Sequence, residues 1–228
     1  MSEDQDYPRS QGGRPVALEA RTGETDGRRF SPSTARNRDS VRAVFIEHMP
    51  AQGTCLEIAS GTGEHGAHIA PALPGLDWWY SDIDADSRAS QAAWAAHLGP
   101  EAGLKGPLAI DVTQAVWAEA DALAPLDAVF CANMIHIAPF AAAEGLISGA
   151  GQRLRKGGRL MLYGPFARNG EIAPSNQRFS EDLKRRDAGW GVRDLDREIM
   201  PRAAGAGLLP VEVIAMPANN LSVIFERG

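Results

Sequence analysis

Cysteine and lysine are scarce in this chain of 228 residues, which has two cysteines (Cys55 and Cys131) and three lysines against twenty arginines. Two thiols cannot build a disulfide framework. Both fall in stretches expected to be strands, so they are read as small, buried, reduced side chains of a cytoplasmic protein. Long apolar runs are missing too. None approaches the roughly 18 residues of a membrane span, so no membrane segment is expected. The opening residues Met1-Ser2-Glu3-Asp4-Gln5-Asp6 are acidic, the wrong charge for a secretory leader. Positive charge is not in excess: the formal net charge is −6, which argues against a general binder of nucleic acid or membrane surfaces. Metal ligands are thin as well. His65 and His68 lie three apart beside Glu64, but no third ligand cluster follows, so the pair is read as helix surface and no metal is expected.

What is present is concentrated in Thr54-Cys-Leu-Glu-Ile-Ala-Ser-Gly-Thr-Gly63. A short apolar run turns on Gly61 and Gly63 into a helix-compatible stretch. That geometry lets a ligand approach bare backbone close to helix N-terminal N–H groups. Glu57 lies within the strand, four positions before Gly61. A buried carboxylate needs a partner, and the ammonium of S-adenosylmethionine is the candidate. Gly61, Gly63 and Gly66 also spell G-x-G-x-x-G, which alone keeps a nicotinamide-dependent oxidoreductase open. Two further strands end in acids. Asp82 closes Asp77–Asp82, about 20 residues beyond the glycines, the spacing for gripping ribose hydroxyls. Asp111 closes Pro107–Asp111 and could accept a hydrogen bond from an adenine amino group. Acids after three successive strands suit an amino-acid-bearing nucleoside better than a dinucleotide.

The length and the 44 % hydrophobic composition suit one core. Residues 1–28 lack apolar periodicity and are expected to be a flexible arm; residues 29–228 form a single domain. Eight arginines from Arg9 to Arg42 face four acids there, and this stretch is read as a solvated tail before it is read as an RNA-binding arm. A helix should start at Ser31-Pro32 and stop before Pro50. Strands are expected near 54–59, 77–82, 107–110, 126–132 and 158–163, with helices near 64–73, 87–98, 113–120 and 141–155. This alternation predicts a parallel sheet covered by helices on both faces. A helix near 195–206 then precedes strands 208–215 and 221–225. The link Met216–Asn220 is too short for a parallel crossover, so these two should pair antiparallel.

Several further motifs carry a family resemblance. They are Ser31-Pro32…Ala35-Arg36-Asn37-Arg38, Ser81-Asp82-Ile83-Asp84, Asp127–Ile137, Leu162-Tyr163-Gly164-Pro165-Phe166, Ala173-Pro174-Ser175-Asn176, Arg186-Asp187…Trp190-Gly191-Val192-Arg193-Asp194 and Met216–Leu221. With the glycine turn they resemble a domain-of-unknown-function family that includes the human protein methyltransferase-like twenty-six. The resemblance covers about Phe30 to Arg227. It implies the α/β, Rossmann-like class I methyltransferase fold, a mostly parallel seven-stranded sheet with a C-terminal antiparallel hairpin. It also implies use of S-adenosylmethionine. One departure is Glu64-His65-Gly66, where the resemblance leads one to expect Gln-His-Ala.

On that reading Glu57, Ala59, Gly61 and Gly63 hold the methionine moiety, Asp82 and Ile83 the ribose side, and Asp111 with Val112 the adenine; Asn133 adjoins the cofactor. His136, Asn133 and Tyr163 are the candidate catalytic residues, since a near-neutral imidazole after the fourth strand can accept a proton. Methyltransferases acting on base amines resemble one another in an Asn or Asp followed by Pro-Pro and an aromatic. Here Asn133 precedes Met134-Ile135-His136, which counts against nucleic-acid bases and for a small-molecule O, S or N nucleophile. Arg36, Asn37, Phe166, Asn176 and Asn219 are the candidate substrate contacts. A non-catalytic scaffold binding S-adenosylmethionine remains the third alternative.

Overall fold

A computed structural model describes residues 19–228. The chain order of the main elements is α1 (Pro32–His48), β1 (Gln52–Glu57), α2 (Glu64–Ile69), β2 (Gly75–Ser81), α3 (Ala85–Leu98), β3 (Leu104–Leu108), α4 (Ala118–Asp121), β4 (Leu126–Ala132), α5 (Phe140–Arg153), β5 (Leu154–Ala167), α6 (Pro174–Arg186), α7 (Met200–Gly205), β6 (Leu208–Met216) and β7 (Asn220–Arg227). The sheet runs β3-β2-β1-β4-β5-β7-β6. The first four of these junctions are parallel, whereas β7 pairs antiparallel with both β5 and β6. The order reverses between β1 and β4, whose carboxyl ends open a crevice there. An extra two-residue strand, Arg193–Asp194, adds to the end of β5.

Alternation along β1 places Cys55 in one core and Leu56 in the other. Val41, Val44 and Phe45 of α1, at helical spacing, cover the first face with Ile69 of α2. Leu146 and Ile147 of α5 and Ala203 of α7 cover the second.

Several boundaries differ from expectation. The third strand ends at Leu108, because the next backbone N–H, from Ala109, donates to Glu119 Oε2 at 2.8 Å. The helix expected at 113–120 shrinks to α4. Asp111 Oδ1 accepts from Thr113 N and Oγ1 at 2.9 and 2.7 Å, an Asx-type turn that competes with helix. The helix expected at 195–206 starts as a π turn, Leu195–Ile199, capped by Asp194. Of the arm expected at 1–28, residues 1–18 lie outside the described residues. The remainder is folded: Thr22–Gly23 pairs with Arg29–Phe30, and the Arg28 guanidinium stands 4.9 Å from the Trp94 ring.

Candidate active site

The carboxyl ends of β1, β2, β4 and β5 open onto a cavity of about 860 Å³, walled on its outer side by α1 and α6. At its floor β1 runs out into Ala59, which takes a left-handed φ of 55°. Beyond it the turn passes through Gly61, at φ 57°, to α2. On the other side of the crevice Asn133 follows β4 with φ 63°. Its N–H donates to the Tyr163 carbonyl at 2.8 Å and its own carbonyl accepts from His136 N at 3.0 Å. With Ala218, at φ 58°, three non-glycine residues in the left-handed region line this cavity, the kind of backbone strain that gathers at ligand sites.

Asp82, at the end of β2, is buried yet lines the cavity. Its Oδ2 accepts from Gly61 N at 2.9 Å and Oδ1 from Asp84 N at 2.9 Å. Burial pushes its pKa up to about 6, against those backbone hydrogen bonds and the nearby Arg21 charge. The next residue, Ile83, is 63 % exposed and lines the cavity with Ile110, Asp111 and Val112. An apolar side chain so exposed, facing other apolar groups across a crevice, suits a flat hydrophobic ligand group.

His136 is fully buried (0 % exposed), and neither of its ring nitrogens has a hydrogen-bond partner among the described residues. It packs edge-to-face on Phe166 with centroids 4.9 Å apart. Burial first, and then the Arg193 cation, push its pKa down to about 3. Arg193 reaches the loop from behind, donating to the carbonyls of Ile135, Ala138 and Gly189 at 2.9, 2.8 and 2.7 Å. Gly164 admits the imidazole, since a Cβ there would lie 2.6 Å from His136 Nε2. Burial raises the Tyr163 pKa, and the neighbouring Asn37 side chain opposes that rise. Asn37 Oδ1 in turn meets His65 Nε2 at 2.9 Å.

A family model described as a protein of unknown function, DUF938, matches residues 28–227. The chain belongs to that family. Its fold is that of the class I methyltransferases. It superposes with a TM-score of 0.68 on an O-methyltransferase family 2 protein from Planctomyces limnophilus in complex with apigenin, at 21 % identity, covering 86 % of this chain and 60 % of that one. Human N-acetylserotonin methyltransferase in complex with SAM gives 0.67 at 16 % identity, covering 86 % and 53 %. Magnesium protoporphyrin IX methyltransferase from Synechocystis with bound SAH gives 0.63 at 17 %, covering 85 % and 82 %. The chain thus spans little more than half the length of the first two.

Of the residues singled out in this family member's sequence, Ala59, Gly61, Asp82, Ile83, Asp111, Val112, Asn133, His136, Tyr163, Arg36, Asn37 and Asn176 line the one cavity. Four do not. Glu57 is 1 % exposed, and its Oε2 accepts from Trp78 Nε1 at 2.9 Å; its partner is an indole, not a ligand cation. Burial raises its pKa to about 8, so it is protonated at neutral pH. Gly63 is the αL cap of α2, and its carbonyl accepts from the Tyr80 hydroxyl at 2.8 Å. Phe166 belongs to the core. Asn219 stands in the β6–β7 turn, where its Nδ2 donates to Ser175 Oγ and its carbonyl accepts from Asn176 Nδ2, so that it ties down α6. His65, read as helix surface, is instead buried in the cavity wall with its pKa lowered by burial to about 4. Sequence reasoning missed Arg21, Thr34, Phe179 and Trp190, which also line the cavity. Trp190 was visible in the family motif; the others sit where apolar periodicity is weak.

Proposed function

We propose that this protein is an S-adenosylmethionine-dependent methyltransferase acting on a small-molecule O, S or N nucleophile. One observation carries the reading: Asp82, buried at the end of β2, opens onto the same cavity as the Gly61 turn and the unpartnered His136. The closing β7–β6 hairpin stands where a dinucleotide-binding sheet has a parallel sixth strand, which opposes the oxidoreductase alternative.

The residues present fit the nucleoside. Asp82 keeps acceptor capacity for ribose hydroxyls beyond its two backbone bonds. Ile83, Ile110 and Val112 offer apolar faces to the adenine, with Asp111 at its edge. The backbone of Ala59 and Gly61 lets the methionine end lie close. When bound, the sulfonium supplies the methyl group, so the protein's task is in-line positioning and exclusion of water. Asn133, His136 and Tyr163 form the acceptor side, enclosed by Phe179 of α6 and by Trp190. With its pKa lowered to about 3, His136 is neutral across working pH and too weak a base to take the acceptor's proton; its unpartnered ring nitrogens offer a hydrogen bond that orients the acceptor's O–H, S–H or N–H instead. Arg36, Asn37 and Asn176 complete that wall.

The test is transfer of a labelled methyl group to a panel of phenols, thiols, carboxylates and amines, for the wild type and His136→Ala. Transfer to at least one class is expected, reduced on the order of tenfold in the variant, the worth of one orienting hydrogen bond. Binding of S-adenosylhomocysteine with no transfer to any acceptor would favour the scaffold alternative.

A further inference from the structure

Arg21 comes from the stretch that the sequence marks as a polar arm, yet it lines the cavity. Its Nη1 donates to Ser87 Oγ at 2.9 Å, and its Nη2 stands 3.6 Å from the place a Cβ on Gly61 would occupy. The guanidinium therefore lies over the glycine turn. Asp82, Asp84 and Glu64 surround it and offset the lowering of its pKa by burial. None of the three bonds it. Asp82 is taken by the N–H groups of Gly61 and Asp84, Asp84 by Ser87 N, and Glu64 by Ser31 N and Thr62 Oγ1. A guanidinium has five N–H donors in a planar fork that matches a carboxylate, and Arg21 spends one on Ser87.

The N-terminus of α1 adjoins it. Ser31, Ser33 and Thr34 line the same cavity, and no side chain caps the helix. Thr34 is only 8 % exposed, yet among the described residues its hydroxyl has no hydrogen-bond partner. Pro32 brings no N–H and the Ser31 N–H is taken by Glu64, so the first turn of α1 offers the N–H groups of Ser33 and Thr34 and the positive end of the dipole. A cation with spare donors, an unpartnered hydroxyl and a helix N-terminus line the same cavity, with acids around the cation. That arrangement fits a zwitterion whose carboxylate faces Arg21.

We propose that Arg21, the Thr34 hydroxyl and the first turn of α1 form a cradle for the carboxylate at the amino-acid end of the bound nucleoside. The segment from Glu19 to Phe30 is then part of the cofactor site. This rests on the functional reading above, and the experiment separates the two. S-adenosylhomocysteine and 5′-methylthioadenosine share the thioether nucleoside, but only the first carries the amino-acid end. Both are titrated calorimetrically into wild type, Arg21→Gln and Thr34→Val. S-adenosylhomocysteine should weaken tenfold or more in Arg21→Gln and several-fold in Thr34→Val, while methylthioadenosine stays within twofold and reports an intact fold. Equal losses for both ligands, or no loss for either, would overturn the cradle and leave the functional reading standing. Wild type that binds neither ligand would overturn both.

Discussion

Arg193 shows how a residue outside the cavity controls one inside it. Its guanidinium fixes both ends of the Ile135–Ala138 loop through two carbonyls, and its charge disfavours a second cation nearby. Arg193→Gln should therefore raise the His136 pKa above about 3, while burial, the larger cause, keeps it below the ordinary histidine value of about 6.5. An NMR titration of the imidazole C–H resonances reads this directly, and an unchanged pKa would contradict the assignment. Gly66 is a second case. A Cβ there would lie 2.4 Å from Tyr80 Cε1 and 2.5 Å from Trp78 Nε1. The space an added methyl group would need is filled by the indole that holds Glu57. Gly66→Ala should destabilise by about 2 kcal/mol, the scale of overpacking a core, as read by urea denaturation. No change would mean that Trp78 moves freely.

Among the elements, the strand–turn–helix at β1–α2 and the hairpin at β6–β7 were legible, because apolar run length, glycines and a five-residue link are local signals. α6 was not. Its thirteen residues carry Phe179 and Leu183 as their only large apolar groups, too few for a helical stripe. Polar contacts hold it instead: Asn176 and Ser175 to Asn219, and Ser180 Oγ to Val192 N. The fold of Glu19–Phe30 was hidden for a related reason, since cation–aromatic stacking of Arg28 on Trp94 leaves no periodic trace. The indole partner of Glu57 is 21 positions away, and no local pattern could have replaced the ligand cation that the sequence suggested. Because α6 forms the acceptor-side wall through so few bonds, Asn176→Ala should raise KM for the acceptor several-fold with little effect on S-adenosylhomocysteine affinity. Equal loss of both would contradict the division of the cavity.

For the whole molecule, buried titratable groups set opposite pH limits. His65 and His136 have pKa values lowered to about 4 and about 3. The folded state binds fewer protons than the unfolded one between those values and about 6.5, so their contribution is complete above about 6.5 and lost as pH falls. Glu57 is the reverse case. Its pKa is raised to about 8, so its contribution is present below the unfolded value of about 4.3 and disappears as pH rises through 8. Glu57→Gln keeps the shape and an acceptor for Trp78 without the titration. It should flatten the alkaline side of the stability profile between about pH 5 and 8 and leave the acid side unchanged. Chemical denaturation across pH checks this, and an unchanged alkaline slope would contradict a protonated Glu57.

The central claim, that the crevice between β1 and β4 holds an amino-acid-bearing nucleoside gripped by Asp82, is tested most directly by calorimetric titration. S-adenosylhomocysteine, NAD and NADP are compared on wild type and Asp82→Asn. Binding of S-adenosylhomocysteine alone, weakened tenfold or more in the variant, is the predicted result. Binding of NAD or NADP in its place, or affinity for S-adenosylhomocysteine that Asp82→Asn leaves intact, would contradict the account.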